Sequence, residues 1–113
     1  MCKAIDFETF DFKTFDGFAA DLEEYYAYLN REAGTAVAKK FLAAARATFE
    51  FLMRNPHVGA PKYFNNRSLQ GIRQWRVKGF SAVLIFYLAN DEVLRVVRVL
   101  HSARNIQATF EED

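Results

Sequence analysis

The sequence predicts an α+β domain: an N-terminal strand, an antiparallel helical hairpin packed on an antiparallel β-sheet, and a short C-terminal helix. Three observations predict it. Two stretches with apolar residues at helical spacing, near 16–31 and 36–54, adjoin across a short link at Gly34. Three strand-like runs, residues 72–78, 80–89 and 92–101, are separated by Gly79 and by Asn90-Asp91, residue types that suit tight hairpins. Helices and strands are segregated along the chain rather than alternating. At 113 residues the chain is long enough for one core and too short for two, so 1–113 is read as one domain, with about 1–7 and 111–113 loose.

Residues 5–13 alternate apolar and polar but change phase between Phe7 and Phe10, which predicts a strand near 8–13 with a bulge. Thr14 or Asp16 is placed to cap the first helix. That helix turns Phe18, Leu22, Tyr25 and Leu29 inward and Asp21, Glu23 and Glu24 to water, and it stops at Gly34. Thr35 opens the second helix, whose apolar stripe is Val37, Phe41, Ala45, Phe49 and Leu52. Alanines at 36, 38, 43, 44, 45 and 47 allow close approach to the first helix, giving an antiparallel hairpin. Asn55-Pro56 ends it, and residues 56–71, which hold both prolines, form the one long irregular segment.

The middle strand is apolar on both sides, with Val83, Ile85 and Tyr87 facing one way and Ala82, Leu84, Phe86 and Leu88 the other. The last strand behaves similarly. Val93, Val97 and Val99 share a face with Arg95 and His101, while Leu94, Val96 and Leu100 share the other with Arg98. It is therefore expected at the centre of the sheet, covered above and below. Arg95 and Arg98 fall on opposite faces, and each needs a carboxylate, a cage of carbonyls or the sheet's rim. The plain expectation is that their stems pack and their heads reach water. Residues 102–110 read as a short helix capped by Ser102.

One hairpin covers one face of a sheet, and the final helix is too small to cover the whole of the other. The second face is thus expected either to receive a partner or to lie under the 56–71 segment.

The composition excludes several classes of function. Cys2 is the only cysteine, which rules out an internal disulfide and a cysteine-based metal cluster and fits a reducing cytoplasm. The acidic start M-C-K-A-I-D-F-E does not read as a signal peptide, and the longest apolar run, residues 80–89, is about half a membrane span. Neither His57 nor His101 has ligands at metal spacing, and there is no glycine-rich phosphate loop or nucleophile elbow, so no cofactor is expected. The net charge of +1 conceals polarity: residues 1–34 carry −5 and residues 35–110 carry +9. A basic surface facing a polyanion or an acidic partner follows if the two parts stay apart in space.

The residues left to carry function are cations with aromatic neighbours: Arg73, Trp75, Arg76 and Lys78 on the first hairpin strand, and Arg95, Arg98, His101 and Arg104 on and after the last. Such a set suits phosphates and a stacked base, with His101 as a proton carrier, or equally a rim of solvated charge around a core Trp75.

From Phe18 to Ile106 the chain resembles the ParE toxins of bacterial toxin–antitoxin pairs, within the ParE/RelE superfamily. The resemblance rests on D-L-E-E-Y-Y-A-Y-L at 21–29, N-P-H-V-G-A-P at 55–61, I-R-Q-W-R-V at 72–77, V-L-I-F-Y at 83–87 and above all R-V-L-H-S-A-R-N-I at 98–106. It implies a cytoplasmic toxin held inactive by a cognate, ParD-like antitoxin. Freed ParE-like toxins inhibit DNA gyrase by protein contact, whereas RelE-like relatives cut mRNA on the ribosome. On this reading Arg73, Trp75, Arg76, Arg95, Arg98, His101 and Arg104 form the contact surface for the target, and an antitoxin covers Leu84, Phe86 and Leu88. No direct sequence-specific binding of nucleic acid is expected. A ribonuclease reading would use Arg76, Lys78, Arg98 and His101. Asn105 stands where the family commonly has an acid, and Phe110 stands where RNA-cutting relatives place a terminal tyrosine.

Overall fold

A computed structural model of the chain describes residues 4–5, 17–90 and 92–111. Its elements are β1 (Ala4–Ile5), α1 (Gly17–Glu32), α2 (Thr35–Arg54), β2 (Ala60–Pro61), a 3₁₀ turn (Arg67–Leu69), β3 (Arg73–Val77), β4 (Phe80–Ala89), β5 (Val93–His101) and α3 (Ile106–Phe110). This is the expected α+β architecture, two helices on a sheet with a short final helix. The strand expected near 8–13 and the caps at Thr14 and Asp16 lie outside the described residues.

The strands lie in the order β1-β5-β4-β3-β2. β2 to β5 are antiparallel, and β1 pairs in parallel with Val93 and Leu94 of β5. The middle position belongs to β4, not to β5. The reason is that β4 is the longest strand and the one flanked along its length by full partners. Asn90 makes the β4–β5 turn by accepting from the amides of Glu92 and Val93 through its side chain.

α1 and α2 join at Gly34, whose φ of 94° is open to glycine at little cost. Together they cover one face of the sheet. Phe41, Ala45, Phe49 and Leu52 of α2 and Leu29 of α1 meet Val83, Ile85, Tyr87, Leu94, Val96 and Val99 in this core. Thr48 is also buried there. Its hydroxyl donates to the Ala44 carbonyl and accepts from the Lys78 amide, which fastens α2 to the β3–β4 turn.

The opposite face is covered by the chain itself. Leu69 and Ile72 from the segment after β2, with Phe110 of α3, bury Leu84, Phe86, Val97 and Leu100. Phe110 stands 4.8 Å from both Phe64 and Phe86, ring centre to ring centre. Backbone capture completes the cover: the Asn66 side chain donates to the Phe110 carbonyl at 3.1 Å and the Asn65 amide to the Glu111 carboxylate at 2.6 Å. Leu84 and Phe86 are 6% and 0% exposed, and Leu88 is half-buried. Of the two expectations for this face, cover by the 56–71 segment is the one observed over Leu84 and Phe86, with α3 adding to it, while Leu88 stays half-buried. α3 is capped by Asn105, whose side chain accepts from the Ala108 amide, rather than by Ser102.

The irregular segment is held from below by Tyr87. Its buried hydroxyl donates to the Pro56 carbonyl at 2.8 Å and accepts from the Gly59 amide at 3.0 Å. A Cβ on Gly59 would lie 2.5 Å from that hydroxyl, so only glycine admits the contact.

Candidate functional site: two clefts at one end of the sheet

Strand β5 contains a bulge. Phe86 opposes Arg98 and Tyr87 opposes Val96, so Val97 is an extra residue and the alternation changes phase there. Before the bulge Arg95 lies opposite Leu88, and after it His101 lies opposite Val83. Leu88 packs in the core under α3 and Val83 in the core under the helices, so Arg95 and His101 fall on different faces. Simple alternation had put them together.

Arg98 is buried and paired. Its guanidinium donates twice to Asp21 of α1, Nε to Oδ2 at 2.6 Å and Nη2 to Oδ1 at 2.8 Å. The Val99 amide donates to the same carboxylate at 3.0 Å. Asp21 is itself 6% exposed, which corrects the expectation that it faces water. Nor does the Arg98 head reach water: it is satisfied inside by the bidentate geometry that suits arginine and carboxylate. The Arg98 head is thus enclosed between α1 and β5.

Above this pair opens a cleft of about 350 Å³ between α1 and the end of β5, lined by Glu24, Tyr25, Tyr28, Arg31, His101 and Arg104. The His101 ring lies 6.1 Å from that of Tyr25. Its Nδ1 accepts from the Ala103 amide at 3.0 Å. That bond ties the imidazole to the turn that leaves β5. Burial raises the Tyr25 phenol above its ordinary range, and the neighbouring Tyr28 adds to this.

A second cleft, of about 560 Å³, lies between α2 and β3 and is lined by Phe51, Arg54, Trp75, Arg76, Val77 and Lys78, among others. Trp75 stacks on Phe51, with ring centres 5.9 Å apart and planes at 23°. Arg76 donates to the Ser81 carbonyl at 2.7 Å. Arg73 belongs to neither cleft. It donates to the carbonyls of His57 and Gly59, at 3.2 and 2.7 Å, and so meets its need through a carbonyl cage.

The cations that formed one set along the chain are thus divided. His101 and Arg104 line the first cleft, Trp75, Arg76 and Lys78 the second, and Arg73, Arg95 and Arg98 neither. Arg76, Leu84 and Leu100 stand in line across β3, β4 and β5. The strands that border the two clefts, β3 and β5, therefore lie about two strand spacings, ~10 Å, apart. Phe51 and Arg54 carried no signal of function in the sequence. Asp21 did carry one: it lies four residues before Tyr25 and eight before Leu29, in the apolar stripe, where an acid needs a cation.

The family model for the ParE toxin of type II toxin–antitoxin systems, parDE, matches residues 16–106. The chain belongs to the ParE toxin family. The matched span runs from the start of α1 to the first residue of α3 and includes both clefts. No curated protein matches the chain in sequence. Membership supports a toxin role and implies a cognate antitoxin as partner. Among the described residues no helix is long and apolar enough to cross a membrane.

Proposed function

We propose that this ParE-family chain is the toxin of a type II pair, that it inhibits DNA gyrase by protein contact, and that a cognate antitoxin neutralises it. The observation that carries the contact reading is the Arg98–Asp21 pair. A ribonuclease would need Arg98, His101, Arg76 and Lys78 to converge on one scissile phosphate. Arg98 is instead sealed against Asp21, and Arg76 and Lys78 open onto the other cleft. His101 and Arg104 remain exposed where β5 leaves the sheet, and we assign them to the gyrase contact.

Purified toxin added to gyrase and relaxed plasmid is expected to abolish supercoiling and to accumulate cleaved DNA. Unchanged supercoiling, together with normal growth on expression, would refute the proposal. Transcript cleavage lost in His101→Ala, with gyrase unaffected, would move the chain to the ribonuclease reading. Antitoxin binding without toxicity would mark a toxin that has kept only its binding function.

A further inference from the structure

The first cleft keeps free charge above the Arg98–Asp21 pair. Asp21 is spent on Arg98, but Glu24, Arg31 and Arg104 are exposed, and no ion pair engages them among the described residues. Glu24 and Arg31 stand seven residues apart on α1, about 10 Å along the helix axis at its usual rise. Tyr25 and Tyr28 come between them. Arg104 belongs to the facing wall, in the turn where its amide donates to the His101 carbonyl at 3.0 Å. Tyr25 is braced edge-on by Phe41, with ring centres 4.9 Å apart, and neighbours Tyr28 at 5.6 Å and His101 at 6.1 Å. Its plane differs from theirs by only 32° and 37°, so the three rings make one shallow aromatic wall.

These charges select against simple ions. An acid alone meets like charge at Glu24, and a cation alone meets two arginines. A ligand that matches the whole lining carries N–H donors at one end, a planar ring in the middle and an anion at the other end. A guanine nucleotide has this order. The adjacent N–H groups of its ring match both oxygens of one carboxylate, its face stacks on aromatic side chains, and its phosphate suits the arginine fork. We propose that the cleft between α1 and the end of β5 binds one guanosine phosphate. The base lies on the wall of Tyr25, Tyr28 and His101, its N–H edge on Glu24 and its phosphate on Arg31 and Arg104. A cavity of about 350 Å³ is at the small end of ligand pockets and holds a single nucleotide. Two sources share this chemistry, a free guanosine phosphate and the phosphorylated end of a nucleic-acid strand. The binding does not depend on the gyrase reading. Its consequence does, because a bound nucleotide covers His101 and Arg104, the residues assigned above to gyrase.

His57 and His101 are the chain's only histidines, so their ring-proton resonances report on two separate places. Guanosine 5′-monophosphate titrated into the full chain is expected to move the His101 signals upfield and saturably, through the ring current of the stacked base. Those of His57 are expected to stay in place. Guanosine without its phosphate is expected to bind about tenfold more weakly. The double variant Arg31→Gln/Arg104→Gln, its fold checked by circular dichroism, is expected to erase that difference. Glu24→Gln is expected to erase the preference for guanosine over adenosine monophosphate. A trinucleotide with a 5′-phosphoguanosine end that binds more tightly than the mononucleotide assigns the site to a strand end, and equal or weaker binding assigns it to the free nucleotide. Four results overturn the proposal: an unmoved His101, equal binding of guanosine and its phosphate, a phosphate preference retained in the arginine variant, or tighter binding of free tyrosine. Gyrase left uninhibited while His101 responds sinks the toxin contact and leaves the nucleotide site intact. Inhibited gyrase with an unmoved His101 sinks the nucleotide site alone.

Discussion

Asp21 and Arg98 are 77 positions apart in the chain and form a buried contact between α1 and β5. Both oxygens of the carboxylate are engaged, and Oδ2 also takes the Val99 amide next to the strand's bulge. Removing one partner leaves the other charged and enclosed, so Asp21→Ala is expected to cost about 3–5 kcal/mol in urea unfolding. The double replacement Asp21→Leu/Arg98→Met is expected to recover most of that loss, since a packed apolar pair of similar volume has no charge to desolvate. Recovery of stability without recovery of function would then measure what the pair contributes beyond folding. Tyr25, in the cleft above, gives a pH-dependent reading. Its folded pKa is raised, so the neutral phenol is the form the fold favours. The stability linked to it is fully present below the ordinary tyrosine range and is lost as pH rises through the raised value. Tyrosinate absorbance is expected to show a late-titrating component that disappears in Tyr25→Phe.

At the scale of elements, α3 matters more than its five residues suggest. It supplies Phe110, 1% exposed, to a cluster with Phe64 and Phe86, and its end is held by Asn66 and Asn65. Phe110→Ala is expected to cost about 3–5 kcal/mol and to uncover Phe86. The paired measurement is a gain in binding of a hydrophobic dye, which the intact chain should not show. Asn105 explains its own departure from the family's usual acid: it is the N-cap of α3. Asparagine and aspartate are comparable caps, so Asn105→Asp is expected to be nearly neutral, while Asn105→Ala costs about 0.5–2 kcal/mol. The strand β5 shows the opposite relation between sequence and outcome. Its residues alternate cleanly on paper, yet the bulge at Val97 separates Arg95 from His101.

For the molecule as a whole, the division of cations into two clefts predicts that their roles separate. Arg104→Glu is expected to weaken both gyrase inhibition and the His101 response to guanosine monophosphate. Arg54→Glu/Lys78→Glu, on the other cleft, is expected to leave both unchanged. Exposed charges dominate both contacts, so both are expected to weaken as salt rises. A second-cleft variant that lost either response would contradict the division.

The elements were legible because helix and strand periodicity is a local property of neighbouring side chains. The stripe Phe41, Ala45, Phe49 and Leu52 is buried as its spacing implied, and the hairpin of α1 and α2 follows from the short link at Gly34. The family was legible too, since R-V-L-H-S-A-R-N-I is a contiguous string. What covers the second face was legible only as one of two alternatives, because Phe64, Leu69 and Phe110 have no period that announces their partner. By itself the sequence determined the fold class, the order of the helical hairpin, the three long strands and the final helix, and the charge available to a partner. Only the tertiary structure decided which charge is spent inside, on Asp21 and Arg98, and which remains outside, on Arg54, Arg76, Lys78 and Arg104. The physical reason is that a bulge of one residue and a pairing across 77 positions depend on long-range packing, which no local pattern encodes.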